Sequence, residues 1–197
     1  MRVRAVGLLL AAGRGQRFAA ARAERAGRAA GTRGAAHPLG GPSPTSVDDG
    51  GAGALPDDAL RDALADARIV ECPDADPGMG RSLAAAARTA IDDGADAVQV
   101  MPADTPWLAP DTACTITGPA REGGEDARAA RIVVPELPDG RRGHPVAFGA
   151  AHLPALARRS GDRGARALLE AFPLRLAPVD DAGILRDVDM PRDLPPP

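Results

Sequence analysis

Residues 78–104 read GMGRSLAAAARTAIDDGADAVQVMPAD, and this stretch decides the fold. The part from Gly78 to Gly94 is alanine-rich, opens after one glycine and closes on another, which are the start and stop signals of a helix. The part from Asp96 to Asp104 is a short apolar strand that ends in an acidic turn. Upstream, MRVRAVGLLLAAG (1–13) is a run of Val, Leu and Ala stopped by glycine, as in a buried parallel strand feeding a loop. Strand, helix and strand set a βαβ rhythm. Downstream the rhythm continues with a helix over Pro110–Glu122, a strand over 131–136 and an extended segment over 143–149. Helices over 153–159 and 164–172 follow, then strands over 174–179 and 184–189. Alternation at this spacing predicts an α/β layered domain with a mainly parallel sheet. In such sheets ligands gather beyond the carboxyl ends of the strands, so chemistry is expected in the loops that follow them.

Between the first strand and the quoted stretch the pattern weakens. Residues 14–33 are Arg, Ala and Gly with little periodicity, and 34–56 form a Gly/Pro-rich segment expected to be a flexible loop. Leu55, Leu60 and Leu64 give helical spacing over 56–67, followed by a brief strand over 68–72. With 197 residues the chain fits one domain over 1–194, and Pro195–Pro197 make a tail.

Composition narrows the function. The chain is 44% hydrophobic and 26% charged, ordinary for a soluble globular protein, but about half of its apolar residues are alanine and all its basic side chains are arginine. A net charge of −3 with dispersed arginines leaves no basic stripe for nucleic acid, and an aromatic content of 2% leaves few stacking platforms. The apolar run Ala5–Ala12 is too short to span a bilayer and lacks a cleavage-site pattern, so no membrane partner is expected and a cytoplasmic location is. Cys72 and Cys114 form no paired motif and read as small buried residues.

Several loops carry groups suited to phosphate chemistry. After the first strand, Gly13 and Gly15 flank Arg14, with Arg17 beyond. Glycines let backbone N–H groups approach a phosphate, and arginine adds paired donors. A Gly-rich turn without a ligand fits the same residues, and Phe18 stands where a dinucleotide fingerprint needs its third glycine. Asp104, at the end of a strand, sits where a hard cation such as Mg²⁺ would bridge it to phosphates, or where a carboxylate would cap the next turn. Asp187 and Asp189 alternate along the last predicted strand and so share one face, either completing a metal site or lying solvated on an edge.

The segments GMGRSL (78–83), GRRGHP (140–145) and GDRGAR (161–166) add small residues beside Arg, Ser, His and Asp. With LAAGRGQRF (10–18), ADTP (103–106) and DVDMPRD (187–193) they stand in an order that resembles the molybdenum cofactor cytidylyltransferases, MobA-like members of the Rossmann-like nucleotidyltransferases. The resemblance covers most of the chain. It implies a single three-layer Rossmann-like domain that transfers CMP from CTP, or another NTP, to the phosphate of a molybdopterin-type acceptor and releases pyrophosphate. It implies Leu10, Ala11, Ala12, Gly13, Arg14, Gly15, Gly80 and Ser82 at the nucleotide, with Arg17, Arg22 and Asp104 catalytic. Mg²⁺ would be held by Asp104, Asp187 and Asp189, and His144, Pro145, Asp162 and Gly164 would line the acceptor pocket. A molybdoenzyme or its maturation factor is the implied protein partner. Relatives that use GTP carry two glycines where Ala11 and Ala12 stand, so the pair favours a cytosine base.

The chain departs from the family pattern at three places. Its signature glycine after Phe18 is Ala19, and its signature lysine falls on Arg22, which replaces a compact ammonium by a planar fork. The region of the first crossover also lacks a Val/Ile-rich run. Two further readings follow: a same-fold transferase with another phosphorylated acceptor, and a non-catalytic nucleotide-binding accessory module.

Overall fold

A computed structural model of the chain describes residues 4–10, 70, 72, 79–120, 122–161 and 164–193. Its strands are β1 (Ala5–Leu10), β2 (Ala97–Pro102), β3 (Ile132–Glu136), β4 (Val146–Gly149) and β5 (Arg175–Pro178). Its helices are α1 (Met79–Asp92), α2 (Pro110–Ala120), α3 (Glu125–Ala129), α4 (Leu153–Leu156) and α5 (Arg166–Ala171). The strands form one sheet in the order β1-β2-β4-β3-β5. β1 is parallel to β2 and β3 to β5, while β4 is antiparallel to both its neighbours. Four strands therefore share one direction, as expected, and β4 is the reversed one.

Alternation along the strands sorts side chains onto two faces. On one face Leu8, Val98, Val100, Ile132, Val134, Val146 and Phe148 pack against Leu83 and Ala87 of α1, Leu153 and Leu156 of α4 and Leu168 of α5. On the other, Ala97, Val133, Ala147 and Ala177 form a nearly flat floor for Ile116 and Ala120 of α2. Gln99, on that second face, donates from Nε2 to the Ala113 carbonyl at 2.9 Å. Helices on both faces make the three layers that the resemblance implied, and the alanine-rich composition is what lets α2 lie close. Phe148, fully buried at the centre and facing both Val98 and Ile132 across the ladders, is the largest core side chain. Truncating it to alanine would cost about 3–5 kcal/mol.

The helix read over 78–94 is α1. Its alanine run favours helix intrinsically, and it buries Leu83, Ala87 and Ala90 along one stripe. It stops in a Schellman motif: Gly94 takes φ 66°, its N–H bonds the Ile91 carbonyl at 2.9 Å, and the Ala95 N–H bonds that of Ala90 at 3.0 Å. That turn sends the chain straight back into β2. The helix extends about 21 Å and the strand about 20 Å, so the start of α1 lies level with the end of β2.

Three expectations need correction. The segment 184–189 is no strand: Ala182–Leu185 is a 3₁₀ turn and residues 186–189 join no ladder. Its backbone groups are engaged elsewhere, by Asp181, Asp104 and His144, as described below. The helix read over 110–122 ends at Ala120 and is followed by the separate α3, with the Arg131 guanidinium donating to the carbonyls of Pro119 (2.5 Å) and Glu122 (2.8 Å). Cys114 is exposed on α2, not buried. Of the strand read over 68–72 only Val70 and Cys72 are described, neither in a ladder, and the stretches 14–33, 34–56 and 56–67 lie outside the described residues. Among the described residues no helix is long and apolar enough to cross a membrane.

Candidate functional site

The carboxyl ends of β1, β2, β3 and β5 and the amino end of the reversed β4 lie along one edge of the sheet, where the βα loops are expected to hold ligands. Leu10 ends β1 there, with its carbonyl accepting the Ala103 N–H at 3.0 Å. The loop that would hold the triphosphate thus departs from beside the acidic turn of β2. Asp104 in that turn is exposed. Its backbone carbonyl accepts the Val188 N–H at 2.8 Å, which ties the backbone between Asp187 and Asp189 to the acidic turn.

His144 enters the same edge just before β4, its N–H bonded to the Ile184 carbonyl at 2.9 Å. Gly143 makes this approach feasible, since a Cβ there would lie 1.9 Å from the Ile184 carbonyl oxygen. The His144 ring keeps an exposed edge, but desolvation by the surrounding chain pushes its pKa below the usual histidine value, while the Asp104 carboxylate pulls it the other way. Desolvation thus biases the imidazole toward its neutral, hydrogen-bonding form. Pro145 behind it is fully buried.

The segment from Asp181 to Asp189 crosses this edge as a strap. The Asp181 carboxylate accepts from the Ala109 N–H (2.9 Å), the Thr112 hydroxyl (2.6 Å) and the Gly183 N–H (2.8 Å). Partial burial raises its pKa, but these donors outweigh that and leave it below the ordinary aspartate value. Gly183 presses on Trp107, where a Cβ would lie 2.2 Å from the carbonyl oxygen, and the Arg186 guanidinium stacks 4.7 Å from the Trp107 ring centre. Asp181, Gly183, Trp107 and Arg186 were not singled out from the sequence, while Gly143 belongs to the GRRGHP segment that was. The one local signal was Asp181 ahead of glycine, an N-cap pattern for the short turn that follows.

Two further motifs pack together. The Gly80 N–H donates to the Gly161 carbonyl at 2.9 Å, and a Cβ on Gly80 would lie 2.7 Å from that oxygen, so GMGRSL and GDRGAR meet backbone to backbone. Gly161 (φ 70°) and Gly164 (φ 47°) supply the left-handed conformations that this loop needs. The Ser82 hydroxyl oxygen is buried in α1 and has no hydrogen-bond partner among the described residues. Because α1 starts level with the end of β2, Gly80 and Ser82 lie toward the same edge as Asp104.

Asp187 and Asp189 do not share the face of a strand, because their segment is none; Asp187 is exposed and Asp189 half-buried, its N–H bonded to an Asp193 carboxylate oxygen at 3.1 Å. Among the described residues no three His, Cys, Asp or Glu side chains group closely enough to hold a metal. Asp104 and Asp187 are exposed carboxylates, the hard-oxygen type of donor that Mg²⁺ takes one or two at a time, with phosphate oxygens and water completing its shell. Ala11, Ala12, Gly13, Arg14, Gly15, Arg17, Arg22 and Asp162 lie outside the described residues.

Comparison with known proteins places the chain in a family. Residues 7–179 match the family model of the MobA-like NTP transferase domain. The purine catabolism protein PucB of Bacillus subtilis (strain 168) is 30% identical over 125 residues, covering 62% of this chain and 57% of PucB, so the match spans little more than half of that relative. The crystal structure of Rv0371c from Mycobacterium tuberculosis H37Rv shares the fold, with a TM-score of 0.57 and 24% identity over 98% of this chain and 96% of that one. A manganese complex of Rv0371c is 26% identical, with a TM-score of 0.48 over 97% and 96% of the two chains.

Proposed function

The chain belongs to the MobA-like NTP transferase family, and on that premise we propose that it transfers CMP from CTP to the phosphate of molybdopterin or the molybdenum cofactor, releasing pyrophosphate. The observation that carries this reading is the meeting, at one sheet edge, of the acidic turn at Asp104, the His144 approach and the strap bearing Asp187 and Asp189. In the reaction an acceptor phosphate oxygen forms a bond to the α-phosphorus of CTP as the bond to the bridging oxygen breaks and pyrophosphate leaves. The acceptor phosphate is already anionic near pH 7, so no enzymatic base is required. The task of the protein is alignment and charge neutralisation.

In this assignment Gly13, Gly15 and neighbouring amides cradle the triphosphate, Arg14, Arg17 and Arg22 offset its charge, and Ala11 and Ala12 narrow the base pocket toward cytosine. Gly80 and the unpartnered hydroxyl of Ser82 face the nucleotide. Neutral His144 hydrogen-bonds the acceptor without adding charge, beside Pro145, Asp162 and Gly164. Mg²⁺, held by Asp104 with Asp187 or Asp189 and by phosphate oxygens, would supply positive charge where the transferred phosphoryl group is most crowded. We place the protein in the cytoplasm.

The match to a purine catabolism protein favours a second reading, in which the chain serves a molybdoenzyme of such catabolism as a non-catalytic accessory. A panel of NTPs with Mg²⁺ separates the two, scored by thermal shift and by pyrophosphate release. The transferase reading expects the largest stabilisation with CTP, since a ligand bound by the native state raises stability by mass action. Equal or larger shifts with GTP overturn the base assignment, and binding without pyrophosphate release in the presence of acceptor favours the accessory.

A further inference from the structure

We propose that Arg186, laid against the Trp107 ring, binds a phosphate group of a substrate at the sheet edge. The inference rests on the transferase reading above and deepens it by naming a further residue that holds the substrate anion. The arginines assigned above to the phosphates, Arg14, Arg17 and Arg22, all stand between β1 and α1 in the chain, whereas Arg186 belongs to the strap that follows β5. Two backbone bonds hold it at the edge. Two residues before it, the Ile184 carbonyl accepts the His144 N–H at 2.9 Å; two residues after it, the Val188 N–H donates to the Asp104 carbonyl at 2.8 Å. Two residues of chain span at most about 7 Å, so the Arg186 backbone is confined to that reach of both tethers. Its own N–H closes the preceding turn onto the Gly183 carbonyl at 3.2 Å.

The Arg186 side chain is exposed, and its guanidinium lies 4.7 Å from the centre of the half-buried Trp107 ring. Stacking restrains the plane of the guanidinium and covers one of its faces, while its N–H donors point outward within that plane. Four arginines are described in the loops after β3 and β5, and three of them pair with carboxylates: Arg141 with Asp139, Arg142 with Glu136 and Arg192 with Asp193. Arg186 is the fourth, and among the described residues its side chain has the Trp107 ring but no ion pair or hydrogen bond. A planar fork held on an aromatic ring and left without a carboxylate is suited to paired hydrogen bonds with phosphate oxygens. Such oxygens reach this edge from two sources, the triphosphate of CTP and the phosphate of the acceptor.

The test measures dissociation constants of the full chain for CTP, inorganic pyrophosphate and molybdopterin by isothermal titration, in the parent, Arg186→Ala, Arg186→Lys and Trp107→Leu. In Arg186→Ala the affinity for the ligand whose phosphate it binds is expected to fall by about tenfold, with a Tm close to that of the parent because the side chain is exposed. A loss confined to molybdopterin assigns Arg186 to the acceptor, and a loss confined to CTP and pyrophosphate assigns it to the triphosphate; either supports the proposal. Arg186→Lys should recover part of the lost affinity, since it keeps the charge without the fork. Trp107→Leu, which removes the platform, should weaken the same ligand by about threefold. Parental dissociation constants for all three ligands in Arg186→Ala overturn the proposal, and a lowered Tm beside them would mark Arg186 as a packing residue. If the parent binds these ligands but releases no pyrophosphate, the transferase reading fails while the dissociation constants still decide the role of Arg186. A parent that binds none of the three overturns it.

Discussion

Substituting Gly143 by alanine tests how rigidly the strap and the approach to β4 are locked together. An added Cβ would lie 1.9 Å from the Ile184 carbonyl oxygen, 2.6 Å from its carbonyl carbon and 3.1 Å from Leu185 Cδ2. The first two atoms are backbone and have no rotamer by which to move aside. Going from 1.9 Å to 3.0 Å, a separation below which such contacts are essentially not seen, requires the strap to retreat by about 1.1 Å. That retreat breaks the 2.9 Å bond from the His144 N–H to Ile184, at about 1 kcal/mol. Overpacking adds roughly 1–3 kcal/mol. A total of about 2–4 kcal/mol corresponds to a Tm lower by roughly 5–15 °C for a chain of this size, measured by thermal denaturation. Displacement of the strap also strains the bond from the Val188 N–H to the Asp104 carbonyl, and in the proposed transferase a misplacement of about 1 Å at a reacting centre can cost roughly 100-fold in turnover. A Gly143→Ala protein with the parental Tm and parental turnover would refute the rigid coupling of strap and site.

Two other outcomes are expected. Asp104→Asn should leave the Tm close to that of the parent, because the side chain is exposed, while removing Mg²⁺-dependent turnover, since an amide keeps the shape but not the charge that competes for a hard cation; parental activity at limiting Mg²⁺ would make Asp104 a turn residue. His144 should titrate below the ordinary histidine value in NMR, as desolvation lowers its pKa; its contribution to stability is then fully present above the unfolded-state pKa and lost as the pH falls through the folded value, and a midpoint above the ordinary value would contradict the burial argument.

The residues differ in how far they declared their structure in advance. The alanine stripe of α1 and its closing Gly94 announced both helix and stop, because each acts within a few residues of itself. The short apolar strands between helices foretold a layered α/β domain with a mainly parallel sheet. The reversal of β4 was hidden, since a short segment such as PVAFG carries no mark of direction, and its orientation follows from pairing with β2 and β3, distant in sequence. The run ILRDVD has the composition of a strand but not its partners. The Val188 N–H and the Ile184 carbonyl bond Asp104 and His144 instead, and Asp181 and Gly183 fold the chain into a tight turn before a ladder can begin. Asp104 and His144 stood out in their motifs, and the fold brings them to the same sheet edge. Asp181 was not, because its role depends on Ala109 and Thr112, about seventy residues earlier, and no local spacing encodes that meeting.

The central claim is the transfer of CMP to a phosphorylated pterin. Incubating the full chain with α-³²P-labelled CTP, Mg²⁺ and molybdopterin, and following both label and pyrophosphate, tests it most directly. The expected result is label in the pterin product with one pyrophosphate released for each CMP transferred, no transfer without Mg²⁺, and loss of transfer in Asp104→Asn. Bound CTP with neither labelled product nor pyrophosphate, under conditions where the acceptor is intact, would contradict it.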